Sequence, residues 1–468
     1  MPINSFDDYY LSWKPERKNL TSPLYLSLSN QLEHDIKSGL LQAGTKMPPQ
    51  RELADYLDVS LNTITRVYSL CEKKGLLYAI TGRGTFVSEV PTVKRSVVNE
   101  RNNAESFYSL DIAAPLCEDA ADLRHFISDI MVECSIENLF QYTYPLGTAF
   151  QRDAAVQWLH RFGISSNKDQ IIISEGTQNA LHMVLTGLFK AGDRIAVDTY
   201  TYSNFIGLAN LLGIVLVPIA GDKNGMISSE LEKTAKTIKL NGIYLSPCCS
   251  NPQAICMPMQ RREELAHIIR KENITVLEDD SYAFLLEEPL TPLSVLVPDN
   301  SVYFSGLNKA LFPGLRTTYL WHSPVFREKM EQACYYTNLI VNPVGAQIAA
   351  KAVFSNIADQ TLSCRRNTVR RRSAVYGKFF PMENPYSYYQ WLQLPDSCND
   401  TYMESLLLSE GIRVYSSKHF LVNESDGHNY FRIACCAVQS DLELEEALSK
   451  VKDTILSVSD KKPQLYTL

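Results

Sequence analysis

From Ile171 to Ser305, short apolar runs alternate with amphipathic helical segments, and no other feature limits the fold as tightly. The runs are Ile171–Ser174, Arg194–Asp198, Ile214–Pro218, Gly242–Ser246, Thr275–Asp279 and Ser301–Ser305, with helix-patterned stretches such as NALHMVLTGLFKAG and RREELAHIIRKEN between them. Strands joined through helices are parallel, and a parallel sheet is covered on both faces, so this region predicts a mostly parallel α/β layer. Beyond about residue 345 the pattern changes to long helices and a few strands, which predicts a smaller α+β domain. At 468 residues the chain exceeds one ordinary domain.

Residues Ser22 to Val87 form a separate, densely patterned block. Leu24, Leu28, Leu32 and Ile36 recur at helical spacing, and Gly39 ends the stripe. A second short helix begins near Arg51, and Asp58-Val59-Ser60 separates it from a third, with Ser60 as N-cap and Gly75 as its stop. LLYAITGRGTFV then reads as two strands about a Gly82-Arg83-Gly84 turn. Helix, helix, turn, helix and hairpin outline a winged helix-turn-helix over 1–87. The following stretch, 88–109, is polar and aperiodic and reads as a linker.

Composition narrows the partners. With 45% apolar and 21% charged residues the chain is globular, neither disordered nor collagen-like. The best apolar stretch, Leu208 to Ala220, falls short of the roughly 20 residues a membrane helix requires, so no membrane partner is expected. MPINSFDDYY lacks the basic and apolar regions of a secretion signal. Eleven cysteines without a CxxC spacing suit reduced thiols in a cytoplasm, and no metal site is expected. A net charge of −7 opposes a bulk nucleic-acid coat but allows a local DNA reader.

The chemistry gathers at the strand ends. Asn251, Asp279, Tyr282, Lys309 and Arg316 lie at or just beyond the C-terminal ends of predicted strands, where an open α/β sheet places its ligands. A buried lysine there suits a Schiff base. An aspartate in the same crevice suits a protonated ring nitrogen. Arg316, seven residues beyond Lys309, has the donor fork for a phosphate, and SEGTQNAL joins strand to helix with amides aimed at an anion.

In that order (Gly-Thr-Gln, Asn-Pro, Glu-Asp-Asp, Lys, Arg) the chain from about Leu110 onward resembles the fold-type-I aminotransferases, which bind pyridoxal 5′-phosphate. The resemblance implies a large α/β domain over 110–345 and a small α+β domain over 346–468. It makes Lys309 the Schiff-base lysine, Asp279 the ring-nitrogen partner, and Asn251 and Tyr282 donors to the ring hydroxyl. Gly176, Thr177, Gln178 and Arg316 would hold the phosphate, Tyr202 would stack on the ring, and Tyr142 would reach the neighbouring subunit's phosphate in a homodimer. Arg432, in FRIACC, would grip an effector's α-carboxylate. Four departures stand out: Ala254 replaces the glycine of NPTG, Tyr200 stands where a proline is common, Gly306 lies three before Lys309 where relatives carry Thr or Ser, and Asn308 precedes the lysine where Ser is common.

The block Pro23–Val87 resembles the GntR family of winged-helix regulators through PLYLSL, GTKMPPQRELA, VSLNTITRVY, KKGL and GRGTFV. The resemblance implies double-stranded DNA as partner. Arg51 would clamp a phosphate, Ser60, Asn62, Thr63 and Arg66 would occupy the recognition helix, and Gly82, Arg83 and Gly84 would shape the wing. Leu61 stands where many relatives have Arg. A further basic run, CRRNTVRRR, reads as a solvated helix face, with an auxiliary DNA track as the alternative. Head, linker and aminotransferase-like domain together resemble the MocR subgroup of GntR regulators. That implies a cytoplasmic transcription factor sensing an amine, an amino acid or a vitamin B6 form. A working aminotransferase with a DNA-binding head is the alternative.

Overall fold

The computed structural model describes residues 11–17, 20–21, 23–37, 40–42, 44–73, 76–80, 83–87, 108–114, 120–135, 139–423 and 429–459. Gly39, Gly75, Gly82 and linker residues 88–107 lie outside the described residues. Two compact units result, one carrying the N-terminal block and the other beginning at Ser106.

In the first unit, α1 (Leu24–Lys37), α2 (Gln50–Leu57) and α3 (Leu61–Lys73) precede the hairpin β1 (Leu77–Ile80) and β2 (Gly84–Val87). Leu28, Leu32 and Ile36 bury their side chains with Leu53, Leu57, Ile64, Val67 and Tyr68, whereas Leu24, at the exposed start of α1, is only half-buried. The α2–α3 turn closes on Asp58, a left-handed residue at φ 50° whose amide returns to Ala54 and Asp55. Ser60 Oγ accepts from the amide of Thr63 at 3.2 Å, so the expected N-cap is in place. The wing gains a third strand-like edge from Thr45–Met47, since Val87 N–H donates to Thr45 and Met47 N–H to Thr85.

In the second unit, β3 (Tyr108–Ser109) belongs to an arm that precedes the main sheet. The sheet's strands are β4 (Ile171–Ser174), β5 (Arg194–Asp198), β6 (Val215–Ile219), β9 (Gly242–Leu245), β10 (Thr275–Asp279), β11 (Ser301–Gly306) and β12 (Thr318–His322), with a small hairpin of β7 (Gly221–Asp222) and β8 (Gly225–Met226) between. Their spatial order is β4-β12-β11-β10-β9-β5-β6. The expected strands all form, with the run at Ile214–Pro218 shifted one residue to Val215–Ile219. Pro218 is tolerated because β6 is an edge strand pairing with β5 alone.

Strand β12 is an addition to the sequence expectation, and it runs antiparallel to both β11 and β4. It places the residues beyond Arg316 back inside the sheet. Helix Thr177–Leu188 leaves the end of β4 and buries Ala180, Leu181, Met183 and Val184 against it.

The smaller lobe carries the three-stranded sheet β13 (Tyr389–Gln393), β16 (Tyr430–Ala434), β15 (Tyr415–Ser416), while β14 (Ile412–Arg413) pairs with arm strand β3. Here the basic run departs from expectation. Arg365 and Arg372 are 4% and 1% exposed. Arg365 donates to the carbonyl of Leu311, Arg366 to that of Phe284, and Arg372 to those of Cys435 and Val438 as well as pairing with Asp441. The run is a set of struts joining helix Asn356–Gly377 to its neighbours, because a planar five-donor group satisfies loose carbonyls that no apolar residue could. Only Arg370 and Arg371 remain at the surface, paired with Glu287 and Asp441.

Removing a buried strut exposes orphaned carbonyls and a carboxylate. Arg372→Ala is expected to lower stability by about 3 kcal/mol, and Arg371→Ala, 54% exposed, by under about 1 kcal/mol. Thermal unfolding of the two variants measures the difference.

Candidate cofactor site and DNA-reading head

The sheet edge concentrates the predicted residues. Asp279 ends β10, where Ser281 Oγ donates to Oδ1 at 2.6 Å and Tyr244 Oη to Oδ2 at 3.1 Å. Burial pushes the carboxyl above its usual range, while the hydrogen bonds from Ser281 and Tyr244 oppose the rise. A cation facing it would restore ionisation, which is what a protonated ring nitrogen offers. Tyr202 stands close enough for Asp279 to raise its phenol beyond the effect of burial, and its hydroxyl accepts from Asn204 Nδ2 at 3.1 Å. Tyr282 is buried edge-on to Tyr389 with ring centroids 5.6 Å apart, and its phenol is pushed up by burial.

Two cations stand opposite. Lys309 lies in the single turn Leu307–Ala310 that follows β11, and its Nζ donates to the carbonyl of Ala113. Burial, then the charges of Arg432 and Arg316, lower the amine to about 8. Arg432 is 4% exposed and no carboxylate pairs with it among the described residues. Its Nη1 donates to Asn251 Oδ1 at 2.9 Å, its Nη2 to the carbonyl of Asp111, and its Nε is buried without a partner. Phe420, Tyr389 and Tyr415 surround it with ring centroids at 4.8, 5.3 and 5.3 Å. A desolvated guanidinium with an open donor is suited to an incoming carboxylate.

An anion cradle lies on the other side. Gly176, at φ 86°, caps helix Thr177–Leu188, and a Cβ there would fall 2.7 Å from Arg316 Nη2 and 3.0 Å from Asn308 Nδ2. Only glycine leaves backbone amide, guanidinium and carboxamide converging at this helix N-terminus. Thr177 adds its hydroxyl, 3.2 Å from that of Thr318. The Gln178 side chain turns away to the carbonyl of Asn204 at 3.4 Å, leaving its backbone amide for the cradle and its Oε1 buried without a partner. Ala254 occupies the left-handed region at φ 59°, so the alanine carries strain that glycine would avoid.

Tyr142 does not join this cluster and is 81% exposed. Asn308, Ser281, Thr318, Tyr244 and the carbonyls of Asp111 and Ala113 do join it, though sequence reasoning missed them. Only Asn308 carried a signal, as a departure from the relatives' serine.

In the first unit Arg51, Asn62, Arg66 and Arg83 are exposed, and Thr63 is half-buried with its hydroxyl 2.8 Å from that of Ser60. Arg66 is not free-standing, since its guanidinium lies 3.8 Å from the ring centroid of Tyr25. At the wing, Gly84 has φ 115° and a Cβ there would meet Lys46 Cε at 3.0 Å.

The lysine, the aspartate and the anion cradle on a mostly parallel sheet define a pyridoxal-phosphate domain, and the space at Gly176 between Arg316 Nη2 and Asn308 Nδ2 fits that cofactor's phosphate. The chain matches the family Aminotransferase class I and II over residues 118–451 and Bacterial regulatory proteins, gntR family over 24–87. It is 34% identical over 452 residues to an uncharacterized HTH-type transcriptional regulator, YdeF of Bacillus subtilis, covering 96% of this chain and 98% of that one. It is 26% identical to a probable rhizopine catabolism regulatory protein, MocR of Rhizobium meliloti, over 71% of this chain and 73% of that one. Among solved structures, the Pyrococcus horikoshii kynurenine aminotransferase superposes with TM-score 0.70 at 24% identity, covering 77% of this chain and 92% of that one. The chain belongs to the GntR-type transcriptional regulators fused to an aminotransferase class I and II domain.

When bound, pyridoxal phosphate supplies an electrophilic carbonyl and an electron-withdrawing ring. Lys309 would meet that carbonyl as the neutral amine. Covalent capture, trapped with borohydride, is therefore expected to quicken as pH rises through about 8 and then level off, well short of the about 10.4 of an ordinary lysine. Arg432→Ala removes a neighbouring positive charge and should move the inflection upward.

Proposed function

We propose that this chain is a cytoplasmic, homodimeric regulator in which an amine, an amino acid or a vitamin B6 form at the cofactor site changes how the head engages double-stranded DNA. This reading divides the chain into a head at 1–87, a linker at 88–109, a large domain at 110–345 and a small domain at 346–468. One observation carries it: the arm holds both ligand-reading cations. Lys309 Nζ donates to Ala113 and Arg432 Nη2 to Asp111, two backbone carbonyls of the segment that follows β3. The same arm is stitched to the small lobe by Leu110 N–H to Arg413 and Ala434 N–H to Leu110, and it leads by chain continuity back to the head. Capture of Lys309 by the cofactor takes the amine from Ala113, an effector amine that replaces Lys309 returns it, and an effector carboxylate on Arg432 competes with Asp111, so each ligand changes what holds the arm. Coupling of this kind is reciprocal, so DNA also alters effector affinity.

A second reading keeps a foothold because Lys309, Asp279 and Arg432 are all retained, as amino transfer requires. Sustained turnover of amino donor and keto acid would establish the enzyme. Amine-dependent change in DNA affinity without turnover would establish the regulator.

The head's contacts divide by kind. On a DNA site obtained by selection from random sequence, Arg51→Ala should weaken binding uniformly and reduce the salt slope by about one. Asn62→Ala should instead relax preference at one position. Equal affinity and slope for both variants and the wild type would refute this reading of the head.

Exposed Tyr142 serves the partner's phosphate in the proposed dimer. Tyr142→Ala mixed with Lys309→Ala should regain one tight site per heterodimer, because both lesions then fall in one pocket. Cofactor titration of the mixture against the two parents reads this, and a sum of the parental curves counts against shared sites.

A further inference from the structure

Gly306 lies three residues before Lys309, where the resemblance to fold-type-I aminotransferases implies Thr or Ser, and its backbone is ordinary at φ −78° and ψ 125°. Nothing in the backbone requires glycine here. Space does. A Cβ at Gly306 would lie 2.7 Å from Thr177 Oγ1, 3.0 Å from Ser281 Oγ and 3.4 Å from Thr318 Oγ1. The Thr177 and Ser281 hydroxyls already occupy the volume a residue-306 side chain would enter, and Thr318 lines it at ordinary contact distance while holding Thr177 in place. Thr318 is the antiparallel register partner of Gly306 across β11 and β12, so one of the three is delivered from directly opposite.

The protons can be followed. Each hydroxyl has one to give. Ser281 commits its own to Asp279 Oδ1 at 2.6 Å and so faces Thr177, 3.3 Å away, as an acceptor. Thr318, fully buried and 3.2 Å from Thr177, is placed to donate to it, so the single Thr177 proton has two destinations, Ser281 or an anion at the helix N-terminus, and serves one at a time. Beside it, Asn308 brings Nδ2 to 3.0 Å from the position a Cβ on Gly176 would take, and its Oδ1 is buried without a partner. It is the Nδ2 end, a donor beside the helix N-terminus, that suits an anion, whereas Oδ1 is an acceptor that a phosphate dianion leaves unanswered.

We propose that this chain has rebuilt its phosphate cradle across the β11–β12 ladder. Thr318, acting through Thr177, replaces the hydroxyl that residue 306 lacks, and Asn308 is the neutral donor in place of the relatives' serine. The ligand group is the dianionic phosphate monoester of the cofactor, so the inference rests on the pyridoxal-phosphate reading. Thr318 is a positioning residue and Asn308 a direct contact. Ser281 stands between this cradle and the Asp279 end of the site, and it accepts from Thr177 only when the anion does not.

The experiment titrates purified full-length protein with pyridoxal phosphate and, separately, with unphosphorylated pyridoxal, following absorbance. Asn308→Ala should weaken pyridoxal phosphate by about tenfold or more, the loss of one hydrogen bond to a charged group, and leave pyridoxal unchanged. Asn308→Ser should retain most of the affinity. Gly306→Ser, which restores the relatives' residue, should weaken pyridoxal phosphate, and Gly306→Ser with Thr318→Ala should recover much of that loss. Rescue by a second lesion separates the cradle from a folding defect. If Gly306→Ser binds pyridoxal phosphate as tightly as the wild type, or Asn308→Ala affects both ligands equally, the rebuilt cradle is overturned while the cofactor reading survives. A wild type that takes up neither ligand overturns both.

Discussion

Arg432 is a buried cation with no carboxylate among the described residues to neutralise it, and the second unit is organised around that fact. A guanidinium removed from water is tolerated when its donors are filled and its faces are covered. Asn251 and the carbonyl of Asp111 fill two donors, and Phe420, Tyr389 and Tyr415 cover the faces. Those partners come from the large domain, the arm and the small lobe. One side chain therefore joins three parts of the chain, and its remaining demand for negative charge is what a carboxylate ligand answers. The same charge lowers the Lys309 amine, so the anion receptor and the nucleophile are electrostatically linked.

Strand alternation keeps this site apart from the scaffold. Glu278 and Asp279 are consecutive on β10 and so point to opposite faces. Asp279 turns toward the ligand groups. Glu278 accepts from the amides of Leu293 and Ser294 and the Ser294 hydroxyl, at 2.9, 2.7 and 2.6 Å, capping the helical turn Leu293–Leu296. Burial raises this carboxyl to about 7, with the nearby Asp280 adding to the rise and Arg262 opposing it. Arg262, itself fully buried, braces the same face through the carbonyls of Met257 and Thr291. Of three acids in sequence, Asp279 is the one proposed for the ring nitrogen, while Glu278 and Asp280, which accepts from Tyr303 Oη at 3.0 Å, bind to the scaffold.

What the sequence disclosed follows the same division. Strands with a continuous apolar run announced themselves, and groups at their ends followed from connectivity, so Lys309, Asp279, Asn251, Arg316 and Gly176 were legible before any coordinates. Strand β12 was not, because attention to motif order ends at Arg316, although Thr318–His322 is a β-branched and aromatic run. The basic run on helix Asn356–Gly377 misled for a different reason. Charge predicts solvation on average, but arginine spacing says nothing about carbonyls that arrive from Leu311, Phe284 and Cys435. Contacts made by main-chain carbonyls, including those of Asp111 and Ala113, have no side-chain signature at all.

That last class explains why sensing can be built on an enzyme-like pocket with few substitutions. A catalytic site needs side chains of defined chemistry, and these are present. A sensor also needs the occupied and unoccupied pocket to differ in what they hold, since a ligand shifts an equilibrium only by its differential affinity for two states. Here the arm meets the cations through backbone carbonyls, which any sequence provides. The hydrogen bonds it forms with Lys309 and Arg432 are ones a ligand must break, whereas β3–β14 pairing and the Ala434–Leu110 bond are ones it leaves alone. The arm is thus held at one end by the small lobe and at the other by groups that a ligand competes for. In the proposed regulator, the first attachment would persist when the pocket fills and the second would give way, and the arm that carries both leads by chain continuity to the head.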